Sequence, residues 1–164
     1  MAIDEVIITN PVSVKETVAL GLDNVTDPRI IHALEILPPK KLTSSTTPPA
    51  TKVWSDQVAL SGGAKTLDLE ALVNVNLPNI NFVGLKVQVL IMSCPASNSG
   101  PITIVPGASN DYDIGGAPMS WAVSPGGMLI YLSDDDAPDV ASADSELDFS
   151  GTSAEVFDIL MVAG

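Results

Sequence analysis

From Lys52 to its end the chain is punctuated by glycine and proline about every 8–12 residues, a spacing that leaves no room for long helices and suits a sandwich or barrel of short strands. Between the breaks the apolar residues follow a period of two. Val53-Trp54-Ser55-Asp56-Gln57-Val58-Ala59-Leu60 runs into the turn Ser61-Gly62-Gly63-Ala64, and Thr66-Leu67-Asp68-Leu69 alternates as a half-buried strand does. Val73, Val75 and Leu77 continue an apolar parity to Pro78. Val83 to Met92 reads as one long strand, with Val83, Leu85, Val87, Val89 and Ile91 on one face; Lys86 and Gln88 make its start half wet, and Leu90 and Met92 bury its end. Ile102 to Val105 stops at Pro106-Gly107. Met119–Val123 and Met128–Leu132 flank Ser124-Pro125-Gly126-Gly127, a connector of the hairpin kind. Leu147-Asp148-Phe149 and then Val156–Val162 complete about eight strands. The expected fold is all-β: a jelly-roll-like antiparallel β-sandwich over residues 52–164.

Residues 1–51 read differently and are expected to form an extended N-terminal arm. Pro11, Pro28, Pro38, Pro39, Pro48 and Pro49 interrupt short apolar bursts. Leu42 to Thr51, polar, β-branched and proline-ended, favours extended or polyproline II chain as a linker. Ile30–Leu37 fits a short helix, with Asp27 as N-cap, Pro28 in the first turn and Pro38 as its stop, and fits a short strand nearly as well. An arm of this kind buries its apolar residues poorly by itself. A neighbouring subunit, or exchange between protomers, would cover them. The candidate anchors are Ile7, Ile8, Val18, Leu20, Ile30, Ile31, Leu34 and Leu37, with Lys40 and Lys41 available to an acidic patch on the partner.

Charge narrows the partners. The formal net charge is −13, and all 7 lysines and arginines lie at or before Lys86. A base-free, acidic C-terminal half is unsuited to nucleic acid, whose phosphates are contacted by lysine and arginine. No apolar run reaches the roughly 18 residues of a membrane span. The start, Met1-Ala2-Ile3-Asp4-Glu5, lacks the basic region of a signal peptide, so a soluble chain without export is expected. Cys94 is the only cysteine, which excludes an intrachain disulfide and agrees with a reducing cytoplasm. It reads as a buried thiol at a strand end.

A search for chemistry yields little. A Ser-His-Asp triad would need His32, the only histidine, which sits in the arm. A cupin-like metal site needs a histidine cluster. Asp111-Tyr112-Asp113-Ile114-Gly115 has the alternating acids of a calcium loop, but the twelfth position is Ala122 rather than a closing glutamate. Asp134, Asp135, Asp136 and Asp139 are metal candidates only with help from another segment; a solvated acidic loop that discourages edge pairing is the reading we adopt. A sugar cleft wants aromatic platforms, and Trp54 and Trp121 both sit within strands as core residues do. The paired glycines are not followed by Lys-Ser/Thr and read as turns. No catalytic set and no cofactor are expected.

The run Val53–Leu69, with Leu77–Val89 and the terminal Phe157–Gly164, resembles virion proteins of tailed bacteriophages. The layout of arm plus jelly roll is similar to that of capsid decoration (cement) proteins. The resemblance implies a structural virion protein on the capsid surface, assembled in the host cytoplasm. It would bind the major capsid protein as a homo-oligomer, typically a trimer, and lock the shell. The alternative is a receptor- or carbohydrate-binding β-sandwich module of a phage fibre or tail, which would use Trp121 or the Asp134–Asp139 loop.

Overall fold

A computed structural model of the chain describes residues 5–8, 12–17, 29–34, 40–73, 78–116, 118–133 and 136–164. Every regular element among them is a strand: β1 (Val6–Ile8), β2 (Val12–Thr17), β3 (Arg29–Leu34), β4 (Lys40–Leu42), β5 (Lys52–Ala59), β6 (Ala64–Asp68), β7 (Val87–Ser93), β8 (Ile102–Pro106), β9 (Trp121–Val123), β10 (Met128–Leu132), β11 (Glu146–Ser150) and β12 (Val156–Ala163).

The last eight strands make two four-stranded antiparallel sheets, ordered β10-β7-β12-β5 and β6-β11-β8-β9. The pairing is nested. β8 pairs with β9, β7 with β10, β6 with β11 and β5 with β12, as if one long hairpin were rolled up, and the contacts β8–β11 and β7–β12 close the roll. This is jelly-roll topology. It also revises one sequence expectation. β9 and β10 lie in different sheets, so Ser124–Gly127 carries the chain across the sandwich and does not close a hairpin. A Pro-Gly break between two apolar runs looks the same in sequence whether the strands pair or part.

The inner faces of both sheets meet in one core. β12 contributes Phe157, Ile159 and Met161, β7 Leu90 and Met92, β8 Ile102 and Ile104, and β11 Leu147 and Phe149. Phe149 and Phe157 stack across the sandwich, centroids 4.5 Å apart at 18°. Cys94 is buried just past the end of β7, where its sulfur accepts a hydrogen bond from Asn98 Nδ2 at 3.3 Å.

The expected long strand from Val83 begins only at Val87. Val83 and Gly84 form a turn in which Gly84 has φ of 76°, a left-handed conformation that glycine adopts without penalty. A register shift against β12 between Val162 and Ala163 then breaks the parity. Val87 faces the inner core, while Val89 belongs to a second apolar cluster on the outer face. Gln88, expected to be wet, is fully buried and donates from Nε2 to the carbonyl of Pro49 at 2.6 Å.

Tyr112 ties the loops at one end of the sandwich. Its hydroxyl donates to Pro138 O at 2.9 Å and accepts from Val87 N at 3.2 Å, and burial pushes its ionisation well above the ordinary tyrosine range. Removing the hydroxyl orphans a buried backbone N–H. Tyr112→Phe is expected to lower unfolding free energy by about 1–3 kcal/mol, read from the urea midpoint.

The described residues before Lys40 are almost all in strands. β2 and β3 pair with each other, Val12 opposite Leu34 through Thr17 opposite Arg29, and β1 pairs with β4, Val6 opposite Leu42. Each ladder is a separate two-stranded ribbon, and neither joins a four-stranded sheet. Arg29–Leu34 is therefore strand rather than helix: its three isoleucine and leucine positions and His32 are ladder partners, which prevails over the helix-start signal at Asp27-Pro28.

Candidate docking surface

The stretch after β4, expected to be extended or polyproline chain, is a folded loop. Ala50 N donates to Thr43 O at 2.8 Å, closing it, and the Thr46 hydroxyl donates to both Thr43 O and Pro48 O. Thr51 N reaches Ala163 O at 2.9 Å, and Gln88 holds Pro49. The loop sits as a foot on the outer face of the β10-β7-β12-β5 sheet, where Leu42 and Ala50 pack with the fully buried Val89 and Val162.

Register defines that face. One row across the sheet is Met128, Ser93, Asp158 and Gln57. The next is Ile130, Ile91, Leu160 and Ser55, and the third is Leu132, Val89, Val162 and Val53. The foot covers the middle of the third row. The first row ends polar, with Gln57 Nε2 donating to Asp158 Oδ1 at 2.9 Å. The middle row is apolar and only half-buried at Ile130, Ile91 and Leu160. Beside it Met128 is 62% exposed, on the edge strand β10, and Val53 is 38% exposed on the opposite edge. A shallow depression runs over Ser55, Gln57, Ile91, Ser93, Asp158 and Leu160. Sheets usually put polar residues on the face turned from the core, so this apolar stripe is a candidate contact surface.

The open edge of β5 is guarded. Gln57 donates its backbone N–H to Asp56 Oδ1 at 2.8 Å, which occupies a donor that a pairing strand would need.

The predicted anchors distribute as follows. Ile7 and Ile8 lie in β1, with Ile7 59% exposed; Ile30, Ile31 and Leu34 lie in β3, with His32; Lys40 and Lys41 lie in β4. Lys41 is engaged by Glu5 of the same chain. Val18, Leu20 and Leu37 are outside the described residues, as are Asp134 and Asp135. Of the acidic loop, Asp136 is exposed, and Asp139 pairs with Lys86 at 3.5 Å while Lys86 Nζ donates to Ala137 O. Among the described residues no three His, Cys, Asp or Glu side chains are grouped as metal ligands would be. Trp54 is core and donates from Nε1 to Val73 O at 2.9 Å. Trp121 is half-buried against Tyr131, centroids 5.5 Å apart, and Val73 is exposed rather than part of a strand.

Glu155 is a carboxylate the sequence reading did not single out. Oε1 accepts from Ser99 N, Ser99 Oγ and Gly100 N at 2.6–2.8 Å, and Oε2 accepts from Thr152 N at 2.9 Å. The bonds from the Ser99 hydroxyl and then the Thr152 amide hold its pKa below the ordinary glutamate value. The native chain therefore keeps this charge to lower pH than the unfolded chain does. Its stabilisation is complete above the ordinary glutamate pKa, about 4.3, and is lost as pH falls through the lowered native value. Glu155→Gln, which turns an amide nitrogen toward one of the donors, is expected to lower the melting temperature at pH 6. The deficit should shrink at pH 3, as followed by circular dichroism.

No family model matches the sequence, and no curated protein is similar to it. Among solved structures, a protein of the disulfide-linked pili of Bacillus endospore appendages is similar over 74% of this chain and 94% of its own, at 15% identity and a TM-score of 0.33. A likeness at that level carries no argument about fold or function.

Proposed function

We propose that this chain is a structural protein of a multi-subunit shell, of the capsid decoration type. It binds the outside of a phage capsid as an oligomer, with the major capsid protein as partner, and acts without catalysis or cofactor. The observation that carries this reading is the N-terminal ribbon. Residues 12–17 pair with residues 29–34 and join neither sheet of the body, while the foot at residues 42–50 is pinned to the sandwich. Two strands alone are marginally stable in water. A ribbon on a fixed foot gains most by lying on another subunit, and linked ribbons on one oligomer multiply modest contacts by avidity. The body, acidic and base-free after Lys86, suits an outward surface that repels like copies.

The test is cosedimentation of the purified chain with emptied tailed-phage capsids that lack a decoration protein. Saturable binding with a fixed number of copies per capsomer, and shells that resist heating to a higher temperature, are expected. Binding that never saturates, or none at any concentration, contradicts the proposal.

A further inference from the structure

We propose that the free edge of β10, Met128–Leu132, pairs antiparallel with β10 of a second copy of this chain, joining two four-stranded sheets into one across a two-fold axis at Ile130. The inference goes beyond the structural reading above and does not depend on it.

The backbone of β10 is open along its whole length. Ser133 N donates to Gln88 O and Cys94 N to Gly127 O, both in the register that sets Met128 opposite Ser93. Alternate residues of an antiparallel strand turn their N–H and C=O to opposite sides. Leu129 and Tyr131 therefore turn theirs to β7, and Met128, Ile130 and Leu132 turn theirs outward, where no described residue bonds to them. The other three edges are blocked or short. Asp56 holds the Gln57 amide of β5; in β6 Ala64 exchanges hydrogen bonds with Ser61, and Asp68 O accepts from Ala71 N; β9 has 3 residues. β10 has neither charge nor proline to deter a pairing strand.

Two features name a second copy as the occupant. The outward groups are symmetric about Ile130. A two-fold axis there sets Ile130 opposite itself and Met128 opposite Leu132 of the second copy, so every outward N–H and C=O finds a mate. The side chains agree: Met128, 62% exposed in one chain, gains a leucine neighbour. Charge is the second feature. Copies of a chain with net charge −13 repel one another. Yet β7, β8, β9 and β10 contain no Asp, Glu, Lys or Arg, whereas β5, β6, β11 and β12 each hold an acid. The fold gathers the uncharged strands on one side. β10 and β7 end one sheet, β8 and β9 end the other, and Tyr131 rests against Trp121 across that side. A second copy approaching there sets no acidic strand against another.

Cysteine variants of the full chain test the register. Residues opposed in a hydrogen-bonded antiparallel pair stand about 5.5 Å apart at Cα, within reach of a disulfide. Under mild oxidation Ile130→Cys is expected to link to its own copy. Met128→Cys alone should not, but should link to Leu132→Cys when the two are mixed; native Cys94 is buried and does not compete. In parallel, Ile130→Lys sets like charges face to face across the axis. It is expected to weaken self-association at least about tenfold in sedimentation equilibrium, with its circular dichroism spectrum unchanged. Self-linking of Met128→Cys as complete as that of Ile130→Cys would overturn the inference. So would the absence of any cross-link, or self-association that Ile130→Lys leaves intact. If Ile130→Lys fails to fold, the cysteine pattern decides alone.

Discussion

Phe149→Ala is expected to lower the unfolding free energy by about 3–5 kcal/mol, a large share of the roughly 5–15 kcal/mol that holds a domain folded. Phe149 comes from β11 in one sheet and Phe157 from β12 in the other, both buried, their rings stacked at 4.5 Å. Removing one ring takes away its own transfer free energy and leaves its partner facing a cavity that the nested strands cannot collapse to fill. Urea denaturation should show a lower midpoint at an unchanged slope. Phe149→Leu, which keeps most of the volume, should lose only about 1–2 kcal/mol. A loss below about 1 kcal/mol for the alanine variant would mean that the two sheets do not close on this pair.

The second large effect concerns the foot. Leu42 is 3% exposed and lies at the end of β4, where the ribbon joins the body. Leu42→Ala should cost about 2–5 kcal/mol locally. The sandwich core does not contain Leu42, so the loss appears as opening of residues 43–51 rather than as global unfolding. The amides of Ala50, bonded to Thr43 O, and Thr51, bonded to Ala163 O, report it. Their hydrogen exchange should accelerate at least about thirtyfold, the factor that 2 kcal/mol represents. The same opening uncovers Val89 and Val162 and frees the ribbon from its fixed origin, so shell binding should weaken. Exchange at wild-type rates would show that the foot is held by hydrogen bonds alone.

Much of the body was legible in the sequence, because period-two alternation and Gly/Pro breaks are local signals. The strands from Lys52, Ala64, Ile102, Glu146 and Val156 follow them directly, and so does the sandwich. Partnership was not legible. Nothing local distinguishes the crossing at Ser124–Gly127 from a hairpin, and the register shift at Val162 that turns Val87 inward and Val89 outward depends on a strand distant in sequence. The docking stripe had a signal, which the sequence reading noted at Leu90 and Met92 and did not extend to the last strand. Val89–Met92 and Ile159–Ala163 are apolar at both parities, the mark of a sheet covered on two faces. In the N-terminal region, prolines and polar residues around Thr43–Thr51 suggested open chain, whereas hydroxyl-to-carbonyl bonds from Thr46 fold it into a turn.

The account stands on association of copies, and the most direct measurement is the mass of the full chain by static light scattering from micromolar to submillimolar concentration. The expected result is a fixed small multiple of 17.0 kDa, approached reversibly as concentration rises. A mass that stays at 17.0 kDa across the whole range would contradict it.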